Sequence, residues 1–125
     1  MNPEDLFYTR DHEWLRIEGN TGTIGITDHA QAELGDVVYV EFPRVGDQLV
    51  SGKPLGTIES VKAVSEILSP VSGKVVEVNT SLATTPETVN SDPYGKGWLV
   101  RIELEQPGTE GLLSAKQYQE YVGQA

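Results

Sequence analysis

Apolar and polar residues alternate with a period of two over much of the chain, which predicts strands; the spacing becomes helical in only a few short stretches. Leu6-Phe7-Tyr8-Thr9 reads as a short edge strand. Arg10-Asp11-His12 turns the chain into a strand over Glu13–Glu18, where Leu15 and Ile17 share one face and Trp14, Arg16 and Glu18 the other. Gly19-Asn20-Thr21-Gly22 is turn chemistry that tolerates φ > 0, and Thr23–Ile26 returns as the second arm of a hairpin. Thr27 is placed to cap a helix, and Asp28 suits the positive end of its dipole. Ala30 and Leu34 fall on one face, and Gly35 stops the helix after two turns. Val37–Phe42 is a β-branched and aromatic strand that Pro43 ends.

Residues 45–52 read as a loop holding a short strand. Pro54-Leu55-Gly56-Thr57-Ile58 and Ala63–Leu68 are predicted strands, with room between them only for a tight reversal near Val61-Lys62. Gly73–Val78 follows as another strand. Gly52-Lys53-Pro54-Leu55 and Gly73-Lys74-Val75-Val76 echo each other too briefly for a repeat array, but they suit a sandwich of two similar halves. Asn79 to Asn90 is polar and Thr-rich, a short helical turn and loop. The turn-rich residues 91–97 are either a plain connector or a surface shaped near the hairpin. Trp98, Val100, Ile102 and Leu104 then alternate with Leu99, Arg101, Glu103 and Glu105 as a strand. After Pro107-Gly108 the period changes: Ser114 and Gln117 form a capping box, with Leu112 and Leu113 as staple residues. Tyr118 and Val122 share a face of this helix, Gly123 closes it, and its expected role is to cover the sandwich. Residues 1–125 are expected to form one domain, a mainly β, small sandwich-like barrel with short flanking helices.

Composition narrows the functions open to such a domain. The formal charge is −10, which argues against nucleic acid and anionic membranes as partners and fits partners with basic docking faces. The sequence has no cysteine, so there is no thiolate nucleophile, and any redox sulfur must come from a cofactor. His12 and His29 lack the spacing of metal ligands, so no metal site is expected. No apolar run approaches the roughly 20 residues that span a bilayer. The N-terminal residues Met1-Asn2-Pro3-Glu4-Asp5 carry no basic leader, which points to the cytoplasm, or to the mitochondrial matrix for a processed organelle form.

The central hairpin breaks a local rule. Tight reversals usually carry Asn-Gly, Asp-Gly or a neighbouring Gly, and none stands at Glu59-Ser60-Val61-Lys62-Ala63-Val64-Ser65. What the tip offers is one lysine between small and apolar neighbours. An unassisted lysine is an ammonium at neutral pH and a poor nucleophile, so Lys62 is better suited to being modified than to catalysis. No nucleophile–base pair or Gly-rich phosphate loop suggests an enzyme.

Glu59-Ser60-Val61-Lys62-Ala63, followed by Ser69-Pro70-Val71-Ser72-Gly73-Lys74-Val75, closely resembles the lipoate-attachment region of the glycine cleavage system H proteins. Asp11-His12-Glu13-Trp14, Gly25-Ile26-Thr27-Asp28-His29-Ala30-Gln31, Leu34-Gly35-Asp36-Val37-Val38 and Pro93-Tyr94-Gly95-Lys96-Gly97-Trp98 resemble that family in its order and spacing. The resemblance implies a barrel-sandwich hybrid of the lipoyl/biotinyl-carrier type and a non-catalytic carrier with lipoic acid on Lys62 as N6-lipoyl-lysine. The arm would take the aminomethyl group of glycine from the pyridoxal-phosphate-dependent decarboxylase (P protein) to the aminomethyltransferase (T protein). Dihydrolipoamide dehydrogenase (L protein) would reoxidise it, and a lipoate ligase or a lipoyl/octanoyl transferase would attach it. Glu59, Val61 and Ala63 frame the lysine, with Glu59 helping to present it to the ligase. In the family the loaded arm can fold back into a cleft, where Glu13 resembles a contact for its amine, with Glu66 assisting. A lipoyl domain of a 2-oxo-acid dehydrogenase, which usually reads Asp-Lys-Ala, and a relay of lipoate to other enzymes would use the same lysine. A biotin carrier fits less well, because methionines typically flank its lysine.

Overall fold

The computed structural model describes residues 3–105 and 111–123; the predicted break at Pro107-Gly108 lies outside them. Two antiparallel sheets face each other. The larger holds β1 (Phe7–Tyr8), β2 (Glu13–Glu18), β3 (Thr21–Ile26), β5 (Gln48–Leu49), β8 (Gly73–Val78) and β9 (Val100–Leu104), in the order β1-β2-β3-β9-β8-β5. The smaller holds β4 (Val37–Glu41), β6 (Pro54–Ser60) and β7 (Val64–Leu68), in the order β4-β6-β7. The echoed Gly-Lys segments lead into β6 and β8, one in each sheet.

Period-two alternation explains the layer between the sheets. Leu15, Ile24, Val75, Val100 and Ile102 from the larger sheet meet Val40, Leu55, Ile58 and Ile67 from the smaller, all buried. Each such side chain contributes about 1.5–3 kcal/mol when removed from water. Gly19, at φ 61, makes the tight link between β2 and β3, where Glu18 pairs with Thr21.

The helix α1 (Asp28–Leu34) begins and ends as its residues predict. The Thr27 hydroxyl accepts the Ala30 N–H at 3.2 Å, and Gly35 at φ 79 returns its N–H to the Gln31 carbonyl. The C-terminal helix α3 (Ala115–Gly123) carries the reciprocal capping box: Ser114 N–H donates to Gln117 Oε1 at 2.9 Å, and Gln117 N–H to Ser114 Oγ at 3.2 Å. Tyr118 on α3 stacks on Tyr8, with centroids 4.8 Å apart, in a second apolar cluster with Leu6, Trp14, Leu113 and Ala115. Trp14 is therefore buried although it faces away from Leu15, because α3 covers that end of the larger sheet.

One expected strand is shortened. The alternation from Trp98 holds only from Val100 onward. Leu99, assigned to the polar face, is buried in the main core, and Trp98 packs at the second cluster. The cause is irregular pairing before β9: Leu99 N–H reaches Ile24 O at 2.8 Å while its carbonyl accepts from Asn79 N–H at 3.0 Å. Arg101 then lies over the Trp98 ring, 4.0 Å from its centroid.

The polar stretch 79–90 folds as a short 3-10 turn over Thr80–Ala83, then α2 (Thr88–Ser91). The loop after it bonds to β2 and to the start of α1. Trp14 Nε1–H donates to Pro93 O, Arg16 to Tyr94 O, and Asp28 N–H to the Tyr94 hydroxyl. Those contacts lie at the opposite end of α1 from the lysine hairpin, so residues 91–97 brace the larger sheet.

Candidate functional site: a lysine hairpin at the mouth of a groove

The hairpin between β6 and β7 reverses without a glycine because Ser60 supplies the missing acceptor. Ser60 N–H donates to Ala63 O at 2.8 Å. In return Ala63 N–H and Lys62 N–H donate to Ser60 Oγ, at 3.1 and 3.3 Å. A side-chain hydroxyl thus takes the place of a backbone carbonyl, a familiar role of Ser in turns. The broken rule is answered by a residue inside the motif. Neither Val61 nor Lys62 adopts positive φ.

The tip is also tied down from outside. Val61 N–H donates to Asp36 O at 3.0 Å. Asn90 then clamps that connection: its Oδ1 accepts Val37 N–H at 2.8 Å, and its Nδ2 donates to Gly35 O at 2.8 Å and Gln31 Oε1 at 3.0 Å. The stem of Lys62 crosses Gly35 so closely that a methyl group there would lie 3.4 Å from Cε. Asn90 was missed by sequence reasoning, which read its stretch as polar loop; nothing local marks a contact 53 residues away in sequence.

Lys62 itself is exposed, as are Val61, Ala63 and Val64 around it. Val61 is 71% and Val64 66% exposed, so apolar side chains stand on both sides of the lysine at the tip. Glu59 is exposed and pairs with both Tyr39 and Val64, so it stands on the outer face of the smaller sheet.

A groove of about 180 Å³ runs between β7 and α1, with Ala30 and Leu34 on one wall, Ile67 on the other, and Asp11, His12 and Glu33 among its polar lining. Glu66 borders it but is exposed and pairs with Thr57, which turns its side chain to the outer face of the sheet. A second cavity of about 250 Å³ adjoins at Asp11 and is lined by Glu13 and Leu68.

His12 shapes this junction: among the described residues it alone, glycines aside, has positive φ, at 69. Such backbone costs roughly 1–3 kcal/mol and tends to persist where function needs it. The ring is held by Tyr118, whose hydroxyl lies 2.7 Å from Nδ1 and 2.7 Å from Thr27 Oγ1. Burial, with the tilted His29 ring 4.6 Å away, pushes the His12 pKa down.

Glu13 is not a solvated strand residue. It is 2% exposed, its carboxylate accepts Thr9 Oγ1–H at 2.7 Å, and burial pushes its pKa up to about 7, with Asp11 adding to the rise. The Thr9 hydroxyl and the Leu68 N–H hold it down only in part. Glu13 lines the adjoining cavity from the larger sheet, and Lys62 stands on the hairpin of the smaller one. Val64 to Leu68 covers about 13 Å at about 3.3 Å per residue. No group of three or more His, Asp or Glu among the described residues is placed to hold a metal ion.

Residues 6–125 match the family model described as Glycine cleavage H-protein. The chain belongs to the glycine cleavage H-protein family. It is 64% identical over 117 residues to the glycine cleavage system H protein of Rubrobacter xylanophilus, covering 93% of this chain and 90% of that one. It is 53% identical over 123 residues to the H protein of Staphylococcus haemolyticus, covering 98% of both. The crystal structure of a glycine cleavage system H protein from Mycobacterium marinum superposes with a TM-score of 0.86 at 42% identity, over 98% of this chain and 97% of that one. As an H protein the chain is a carrier subunit of the glycine cleavage system, not a catalyst, and its fold is the mainly β carrier architecture with a C-terminal helix. A lipoyl domain of a 2-oxo-acid dehydrogenase is not favoured by a match of this length to H proteins.

Proposed function

We propose that Lys62 carries lipoic acid as N6-lipoyl-lysine, and that residues 1–125 act as one lipoyl-carrier domain in the cytoplasm. The observation that supports this reading is the mount: an exposed amine on a tip whose backbone is pinned by Ser60, Asp36 and Asn90. Rigid elements hold such a site better than a free loop would. The groove fits the group: its Ala30, Leu34 and Ile67 walls suit a methylene chain, and Gly35, over which the Lys62 stem lies, directly follows Leu34 in the chain. Bound lipoate supplies a dithiolane whose disulfide opens to take the aminomethyl group of glycine and is later restored by oxidation.

The chain's own residues do three things in this reading. Glu59, Val61 and Ala63 present the lysine to a lipoate ligase or a lipoyl/octanoyl transferase. Amide formation removes one positive charge and takes the formal charge from −10 to −11. Glu13 receives the amine of the carried group as an ammonium; a hydrogen bond to a charged partner contributes about 1.5–3 kcal/mol. Glu66, which borders the groove with its side chain on the outer face of the sheet, would assist only by turning that side chain over the rim. The partners are the P, T and L proteins of the same system, for which a tethered arm keeps the cargo at a local concentration of order mM when docked.

The test is intact and peptide mass after incubation with a lipoate ligase, ATP and lipoic acid, for wild type and Lys62→Ala. One lipoyl increment on the Lys62 peptide, absent in the variant, is expected. No increment on folded protein, with the ligase active on a control, would remove the assignment.

A further inference from the structure

Strand β7 is a free edge of the smaller sheet. Ser60 and Ala63 form a hydrogen-bonded pair at 2.8 Å. In an antiparallel ladder such pairs alternate, so the register Ile58↔Ser65 and Gly56↔Ile67 turns Ser65 and Ile67 toward β6. Val64, Glu66 and Leu68 then point their N–H and C=O groups away from it. Leu68 shows where that edge looks: it lines one cavity with Glu13, and its backbone lies close enough to that carboxylate to lower the pKa against the effect of burial. About 7 Å back along the strand is the N–H of Glu66, and about 7 Å further is that of Val64. Among the described residues neither has a hydrogen-bond partner.

Unpaired strand edges are normally covered, charged or twisted away. Here the covering group starts two residues off. An extended lysine stem carries Nζ about 6 Å from its Cα, five single bonds of about 1.5 Å in zigzag, which brings an amide on Lys62 level with Val64. The amide is the only neutral polar group of a lipoyl arm, and its carbonyl would be left unpaired between apolar walls. A buried unpaired acceptor costs about 1–3 kcal/mol, and the edge N–H groups carry the matching deficit.

We propose that the stored arm lies along β7 and that its amide carbonyl accepts a hydrogen bond from the outward N–H of Val64 or of Glu66, the next donor along. The arm then extends the smaller sheet by part of a strand, and the backbone, not a side chain, selects its path. This rests on the carrier reading of Lys62. The competing occupant is a second copy pairing edge to edge.

Amide hydrogen exchange by NMR on ¹⁵N-labelled protein tests it, in the unmodified, lipoylated and aminomethyl-loaded forms. Exchange at Val64 or Glu66 should slow at least about tenfold on loading, while Ser65 and Ile67, already paired with β6, stay unchanged. Unchanged exchange at both Val64 and Glu66 overturns the pairing. Protection already present in the unmodified form, and rising with protein concentration, assigns the edge to a second copy and overturns it too. The mass of each sample separates the two readings: a lipoyl increment without protection refutes the pairing alone, whereas no increment refutes the carriage of lipoate on Lys62 as well.

Discussion

Replacing Glu13 with Gln removes a carboxyl group that burial holds at a pKa of about 7 against an ordinary 4.5. The folded state therefore binds this proton more tightly than the unfolded chain does. The stability that follows is full below about 4.5 and is lost as the pH rises through about 7. A difference of about two and a half units at 1.36 kcal/mol each is about 3 kcal/mol. Gln does not titrate, so Glu13→Gln should lack that loss. Urea unfolding at pH 5, 6, 7 and 8 measures it. Wild-type stability minus that of Glu13→Gln should fall by about 2.5 kcal/mol from pH 5 to 8, the rest of the loss lying below pH 5, with a slope no steeper than about 1.4 kcal/mol per pH unit. At m-values of about 1–3 kcal/mol/M this is a midpoint shift of about 1–3 M. The His12 titration and the surface carboxylates occur in both proteins and cancel in the difference. A difference constant to about 0.5 kcal/mol from pH 5 to 8 would refute the account of Glu13 as a strained buried acid. An ammonium beside the carboxylate would offset the cost, so loading should flatten the wild-type profile, and Glu13→Gln should speed loss of the carried aminomethyl group. Unchanged release would end Glu13's role in storage.

Three further changes probe the mount. Ser60→Ala removes the acceptor of two backbone N–H groups; a loss of about 1–3 kcal/mol is expected in urea melts, with faster exchange at the Ala63 amide, and wild-type exchange there would refute the turn assignment. Asn90→Ala frees the carbonyl of Gly35 and the N–H of Val37; it should destabilise by about 2–4 kcal/mol at about 1–3 per orphaned group after partial hydration, and slow lipoylation of Lys62, and normal stability with normal lipoylation would remove it from the site. Ser114→Ala should cost about 0.5–2 kcal/mol by loss of the cap, read as a lower thermal midpoint with no change in lipoylation rate.

The elements and their ends could be anticipated where physical signals are local. Thr27 and Gly35 bracket α1 because capping and left-handed stops depend on residues within one turn, and Ser114 with Gln117 marks α3 for the same reason. The reversal around Lys62 was legible because a hairpin without glycine is a local anomaly, whereas the choice of Lys62 as the attachment point rests on the family resemblance. The misreadings were all non-local. Leu99 looked like a polar-face residue until Ile24 and Asn79 took its backbone bonds. Trp14, placed on the face it shares with Arg16 and Glu18, is buried because α3 and Tyr118 cover it. Glu13 carries no local sign of burial, since its environment is assembled from Thr9, Leu68 and the turn at His12. Asn90 was invisible because its three partners come from α1 and the start of β4.

Glu13 belongs to the larger sheet and Lys62 to the smaller, so nothing in either strand sets the span between them. That span is fixed by the thickness of the apolar layer in which Leu15 meets Ile58. The two sheets act as the jaws of a caliper, and the core side chains are its gauge block. A substitution at Ile58 that leaves the lysine, the groove lining and the acid untouched still changes the setting. In the proposed reading the hydrophobic core is a measuring part as well as a stabilising one, and its tolerance to volume change would be set by the arm it has to fit.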